Sequence, residues 1–284
     1  MIFKIFKEMV AAVKEGVAEA KAELAEENAV KQVLETQQLD ALRNQPQAES
    51  FAVALGAPHR WIFIGETAYD LCSTEIAAAK KDEIAKLLIR DFGADSDLAV
   101  TGAVLTLESV HYATAMLNVL VARLDGAQTE ADSLAILADV ERIRTLLATA
   151  VAVGEAHRFD SAMIPQLLTN RNILYSEYRS LLKDNLADET KAGLAAIAAR
   201  ASYLTFAGAG IGLLPKEDAL ALMAPLASAA EAHFSSWADY AEHHEQGEKL
   251  DKTNNAIGRK LLRDACRRLQ TEPASPWVLF GFSR

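Results

Sequence analysis

Cysteine, the helix breakers and aromatic residues are all scarce in this chain. Two cysteines, Cys72 and Cys266, stand among 284 residues. They are far apart and have neither a CxxC nor a Cys/His spacing, which excludes a disulfide framework and a zinc knuckle. The expectation is two buried, reduced thiols in a cytoplasmic protein, because free cysteine behaves as a small hydrophobe. Seven prolines and fourteen glycines leave long stretches uninterrupted. No strand pair with a hairpin turn and no fixed-length repeat is visible. No run of 18 or more apolar residues lacks a charge, so no transmembrane helix is expected. Lys4 and Lys7 are followed by Glu8 without an apolar core segment, so no secretory signal is expected either. The glycine-rich AGAGIG follows a helical pattern rather than a strand, which excludes a dinucleotide loop. A serine nucleophile elbow is absent. So is His-Glu-x-x-His, and no metal set and no cofactor are assigned.

The composition is 51% apolar, rich in alanine and leucine. Alanine loses no side-chain entropy in a helix, so an all-α protein is expected, with ten to twelve helices in one irregular domain. The net charge of −10 argues against nucleic acid as a partner. Its distribution is uneven: from Lys249 to Arg284 eight basic residues face three acidic ones. A basic C-terminal helix on an acidic body can dock internally or meet an acidic partner.

Residues 1–45 read as an N-terminal amphipathic arm and 46–284 as the helical domain. Ile2, Phe6, Met9, Val10, Val13 and Val17 follow i, i+3, i+4 spacing. The opposite face carries as many Glu as Lys, so packing on a protein body is favoured over a membrane surface through residues 1–17. Pro46 and its polar neighbours read as a linker. Ser50–Leu55 reads as a short helix stopped by Gly56 and Pro58, and a helix is placed after Gly65. Ser96 or Asp95 caps a helix that ends near Ser109, and a second runs from His111 to Leu124. Thr129 caps the next, which ends at Gly154. Further helices cover 170–183, 189–210 and the segment after Pro215. Ser235 or Ser236 caps a helix beginning at Trp237 and ending at Gly247. In the basic helix, Asn254–Gln270, the residues Ile257, Leu261, Leu262, Ala265 and Leu269 are assigned to the inner face. The tail after Pro273 reads as extended, with Trp277, Leu279, Phe280 and Phe282 expected to fold back onto the core, and Trp237 and Trp277 to be core anchors.

Three polar groups invite chemistry. His233, His243, His244, Glu245 and Asp251 form the densest, where a Glu–His pair could act as acid and base or a His/carboxylate set could hold a metal. Adjacent residues do not share a helix face, so only one of His243 and His244 can enter a given site. A solvated helix end with surface histidines is the favoured reading. Glu66, Asp70 and Glu75 lie in an apolar context, and pairing with Arg60 or Arg90 is expected. His157-Arg158 reads as a turn or an anion contact.

The segment LAAIAARASYLTFAGAGIGLLPKEDALALMAPLASAAEAHFSSWADYAEHHEQG, followed by PASPWVLF, resembles the bacterial domain of unknown function 1266. Gly212, Glu217, Asp218, Ser236, Trp237, Gly247, Ser275, Pro276 and Trp277 carry the resemblance. It extends over Lys80–Phe280 and is most specific within 193–280. The chain departs from that family's pattern at Ala199-Arg200-Ala201, where a Trp-Asp pair and an Arg are usual and only the Arg survives. It departs again at Glu248-Lys249, where an aromatic is usual. The resemblance implies a helical bacterial protein and no activity. HEQGEKLDKTNNAIGR also resembles a signature at the ends of some bacterial toxin-type domains, which nominates His244, Glu245, Asp251, Asn254, Asn255 and Arg259 as catalytic candidates. Two functions are therefore carried forward. The first is a protein-binding accessory or immunity-type component. The second is a hydrolase or toxin-type effector with a polar site near 244–259.

Overall fold

The computed structural model describes residues 40, 43, 47–66, 70–154, 161–182, 188–250 and 255–282. The expected N-terminal helix, the His157-Arg158 turn, Asp251 and Asn254 lie outside the described residues. Pro46–Arg284 forms one compact unit, and its described residues are helical throughout with no strand. In chain order the helices are α1 Gln47–Leu55, α2 Ala57–His59, α3 Lys81–Phe92, α4 Asp97–Asp125, α5 Glu130–Gly154 and α6 Ile164–Leu182. They continue with α7 Asp188–Ile211, α8 Lys216–His233, α9 Trp237–Leu250, α10 Ala256–Leu269 and α11 Pro276–Leu279.

Two helices organise the packing. α4 lies against α5, α6 and α7, while α7 lies against α8, α9, α4, α1, α2 and α3. Leu194, Ala195, Ala198, Ala199, Ala201, Tyr203, Leu204, Phe206 and Ala207 of α7 are all buried. A helix wrapped on every side needs small side chains so that its neighbours' backbones can approach, which explains its alanine content. α4 and α7 are long and apolar enough to span a bilayer by length and hydropathy alone. More than half of that span in α4 and nearly three-quarters in α7 is buried against other helices, so core packing accounts for their character.

The helix ends follow local chemistry. The Ser96 hydroxyl accepts from the Ala99 amide at 3.3 Å, and Thr129 accepts from the Asp132 amide at 3.1 Å. Ser236 accepts from the Asp239 amide at 3.1 Å, satisfying an amide that the first turn leaves without a partner. α7 stops at Gly212 in the left-handed region, φ 89°. The Leu213 amide donates to the Gly208 carbonyl and the Gly212 amide to that of Ala209, a Schellman arrangement.

Four sequence expectations are corrected. The two helices placed on either side of residue 110 are one continuous α4. The polar Glu108-Ser109 pair looked like a helix end. Instead Ser109 donates to the Leu105 carbonyl at 2.7 Å and Glu108 meets Arg171 at 2.9 Å inside the core. The helix placed after Gly65 is absent over the described residues. Arg60–Ile64 forms a π turn ending at Gly65, φ 64°, followed by short 3-10 turns at Asp70–Cys72 and Ala78–Lys80. Burial there serves Arg60, which donates to Glu66 at 2.6 and 2.9 Å and to the backbone carbonyls of Ser73 and Asp70. The Asp70 side chain is exposed. The tail is not wholly extended, because Ser275 caps the single-turn α11. On α10, Ile257 and Leu261 face outward, whereas Leu262, Ala265, Cys266 and Leu269 are buried.

Trp237 and Trp277 are both buried in the core. Their rings stack at 5.1 Å with 6° between planes, and Phe51 and Phe282 pack around them. The reason lies at the end of α1. Pro58 has no amide hydrogen, so the Ala54 carbonyl four residues earlier cannot receive its helical bond. The Trp277 indole donates to that carbonyl at 2.9 Å, and Trp237 donates to the Phe280 carbonyl at 2.8 Å. Replacing Trp277 with Phe keeps an aromatic stack but removes the donor. The expected loss is about 2 kcal/mol, the cost of an unpaired buried carbonyl, read as a shift in the urea midpoint. A loss below about 0.5 kcal/mol would mean the carbonyl has another donor.

Candidate functional site

The site forms where α9 presses on α7. Gly247 is the point of contact: a Cβ there would stand 2.1 Å from the Ala192 carbonyl oxygen and 2.8 Å from the Ala196 methyl. Gly247 was read from sequence as a helix stop, but α9 runs on to Leu250. Its role is close approach. Gly56 acts alike at the junction of α1 and α2, where a Cβ would meet the Tyr203 amide nitrogen at 2.6 Å. These two contacts bring α9 and α2 onto the same stretch of α7.

Side chains one turn apart on α9, His244 and Glu248, then face His59 of α2 and Arg200 of α7. All three of His59, His244 and Glu248 are buried. Arg200 Nη2 donates to Glu248 Oε2 at 2.9 Å and Nε to Oε1 at 3.3 Å. His59 Nε2 and His244 Nε2 both lie 3.8 Å from Glu248 Oε1. That is beyond a hydrogen bond. The two imidazoles meet edge to face at 5.4 Å, and Tyr203 stacks on His59 at 6.1 Å. On the far side of His244, Nδ1 is 3.7 Å from the Cys266 sulfur of α10. The Tyr240 hydroxyl, 3.1 Å from the carbonyls of both Leu55 and Ala195, holds α9 against α1 and α7.

Burial decides the protonation states. It pushes His244 down to about 4 against the opposing pull of Glu248, with Arg200 adding to the fall. His59 is held well below the usual histidine range by burial, then by His244 and Arg200. Both rings are therefore neutral near pH 7. Burial raises the Cys266 thiol, so it is not a thiolate nucleophile. Cys72 is also buried and pushed up to about 12, chiefly by burial. Neither cysteine is in a disulfide.

The structure separates the sequence candidates. His244 enters the cluster, and His243 turns instead to Asp239, 3.0 Å from its carboxylate. Both are buried, which corrects the reading of a solvated helix end. Glu245 lies at the rim, 3.4 Å from Lys249 and 3.2 Å from Arg263 of α10. Asn255 caps α10, accepting from the Gly258 amide at 2.8 Å. Arg259 is half-buried at the start of the same helix. Sequence reasoning missed His59, Arg200 and Glu248 as members. His59 carries no periodic signal; Arg200 and Glu248 lie in the two stretches read from sequence as departing from the resembled pattern, Arg200 being the residue of the first stretch that survives. The structure makes them each other's partner. One donor atom each from His59, His244 and Glu248 lies within 4.8 Å of the others, the arrangement among the described residues with ligand-type chemistry.

Fold and site define an all-helical protein with a closed polar centre. The profile of the family described as protein of unknown function (DUF1266) matches residues 105–282. The chain belongs to that family. Comparison with curated proteins returns no match, and comparison with solved structures returns none.

Gly247→Ala tests the contact that builds the site. It is expected to cost about 3 kcal/mol or more, because backbone cannot yield as a side-chain tip can. Gly126→Ala, with no atom nearer than 3.7 Å to the new methyl, is the control. Equal denaturation midpoints for the two variants would show that α9 does not press on α7 at Gly247.

Proposed function

We propose that this is a protein-binding accessory component of the bacterial cytoplasm, and that the outer face of α10 is its recognition surface. The observation that carries the reading is an apolar stripe left uncovered on a basic helix. Ile257 is 73% exposed and Leu261 is 48% exposed. They sit one turn apart, with Lys260, Arg267 and Arg268 exposed around them. Two aliphatic anchors inside a cationic rim suit an acidic partner with an apolar groove. Its inner face is fixed by the buried centre. Cys266 touches His244, and Arg263 pairs with Glu245, so α10 is presented as a rigid surface. The cytoplasmic placement rests on two buried cysteines that form no disulfide, and the bacterial one on the family resemblance.

The hydrolase reading draws less support. A catalytic base must reach its substrate, and His244 and Glu248 are each 1% exposed. Asn255 spends its side-chain oxygen on a helix cap.

The test is affinity purification from the native host, followed by reconstitution of any stoichiometric partner from pure components. An Ile257→Asp/Leu261→Asp variant is expected to keep its helical circular dichroism and lose binding at least about 30-fold, as loss of two anchors implies. Equal affinity for both proteins would remove α10 as the surface.

A further inference from the structure

We propose that His59, His244 and Glu248 bind one divalent transition-metal ion, with Zn²⁺ the ion that suits their donors. Two imidazole nitrogens and one carboxylate oxygen are the protein ligands of a familiar kind of zinc site, which leaves a further position for water. The geometry is close to that of a loaded site. Both Nε2 atoms stand 3.8 Å from Glu248 Oε1. Donors about 3.4 Å apart surround a tetrahedral ion with bonds of about 2.1 Å. The two imidazole–carboxylate edges close with a contraction of a few tenths of an ångström, and the third, within 4.8 Å, needs the two rings to draw together by up to about 1.4 Å. His244 and Glu248 are one helical turn apart and share a face of α9, and α2 brings His59 from far away in the sequence.

A second observation points to a ligand independently of the spacing. His244 Nε2 is wholly buried and has no hydrogen-bond partner, and the same holds for His59 Nδ1. Buried polar nitrogens are rarely left unpaired, since each costs free energy that water would have supplied. An ion between the rings takes the unused lone pair on His244 Nε2, while His59 ligates through Nε2 and its Nδ1 carries the proton. The surroundings match the support that metal ligands receive elsewhere. Arg200 orients the Glu248 carboxylate with two hydrogen bonds. The Cys266 sulfur contacts the opposite nitrogen of His244 and biases which nitrogen carries the proton. The neutral state of both rings leaves them ready to coordinate. The guanidinium opposes the ion's charge, and Glu245, whose charge acts on His244, offsets part of it. The ion ties α2 to α9 through three buried side chains. This inference does not rest on the proposed recognition surface of α10.

The probe is Co²⁺, titrated at neutral pH into the full chain after chelator treatment. The expected result is one equivalent bound, visible d–d absorption of a low-coordinate site, and displacement by Zn²⁺. Glu248→Gln, His59→Asn and His244→Asn are each expected to weaken Co²⁺ binding by at least about 100-fold, more than outer-sphere changes do. Near-UV circular dichroism checks that the variants remain packed. Should they not, X-ray absorption at the zinc edge of the wild-type protein decides. Two imidazoles plus oxygen in the first sphere supports the site, and a sphere with one imidazole or none overturns it. Absence of stoichiometric Co²⁺ binding overturns it too, leaving water as the partner of the buried nitrogens. Unchanged binding in packed variants places the ion elsewhere and is equally fatal.

Discussion

The close approach of α9 to α7 at Gly247 is the constraint on which the rest of the structure depends. At that point two helix backbones touch with no side chain between them. Helices normally pack 8–10 Å apart, and only glycine or alanine lets them come nearer. The proximity sets Tyr240 between two carbonyls on α1 and α7. It also places Glu248 within bidentate reach of Arg200. A side chain at position 247 would separate the helices and open the whole centre.

Around that contact the fold solves a problem created by Pro58. The end of α1 has carbonyls that its own helix cannot satisfy, and three distant side chains supply donors. Ser202 donates to Ala52 at 2.7 Å, Trp277 to Ala54, and Tyr240 lies by Leu55. They come from α7, α11 and α9. One short helix terminus thus gathers the core helix, the tail and the site helix. The tryptophans and Gly247, prominent in the sequence resemblance, belong to this single arrangement.

Much of the fold was legible because it depends on local chemistry. Ser236 before Trp237, Gly212 after α7 and Pro215 before α8 mark helix ends by rules that need no tertiary knowledge. The large apolar residues of the tail had to be buried, and Trp277 and Phe280 are. What was not legible depends on contacts between distant segments. Gly247 looks like a stop unless Ala192 is known to lie against it. Glu108-Ser109 looks like a break unless Arg171 is known to be opposite. His59, in the sequence APHR, carries no periodic signal, and only the α1–α2 turn aims it at His244. Arg200 was visible as the residue that survives in one departing stretch and Glu248 as a departure in another, but neither was visible as the other's partner. On α10 the amphipathic pattern was clear, yet its apolar face is wider than the surface available to bury it. Ile257 and Leu261 remain outside.

The protein therefore has a closed polar centre with α10 packed against it through Cys266. The centre is dry enough to hold two neutral histidines beside an ion pair. The most direct measurement is the ¹⁵N chemical shift of the histidine rings as a function of pH, in the presence of a chelator. The account predicts that His59 and His244 stay neutral through pH 5, since burial lowers both and His244 reaches only about 4. Protonation of both rings near 6.5, the ordinary histidine value, would mean that water reaches the centre and that the helices do not close over it.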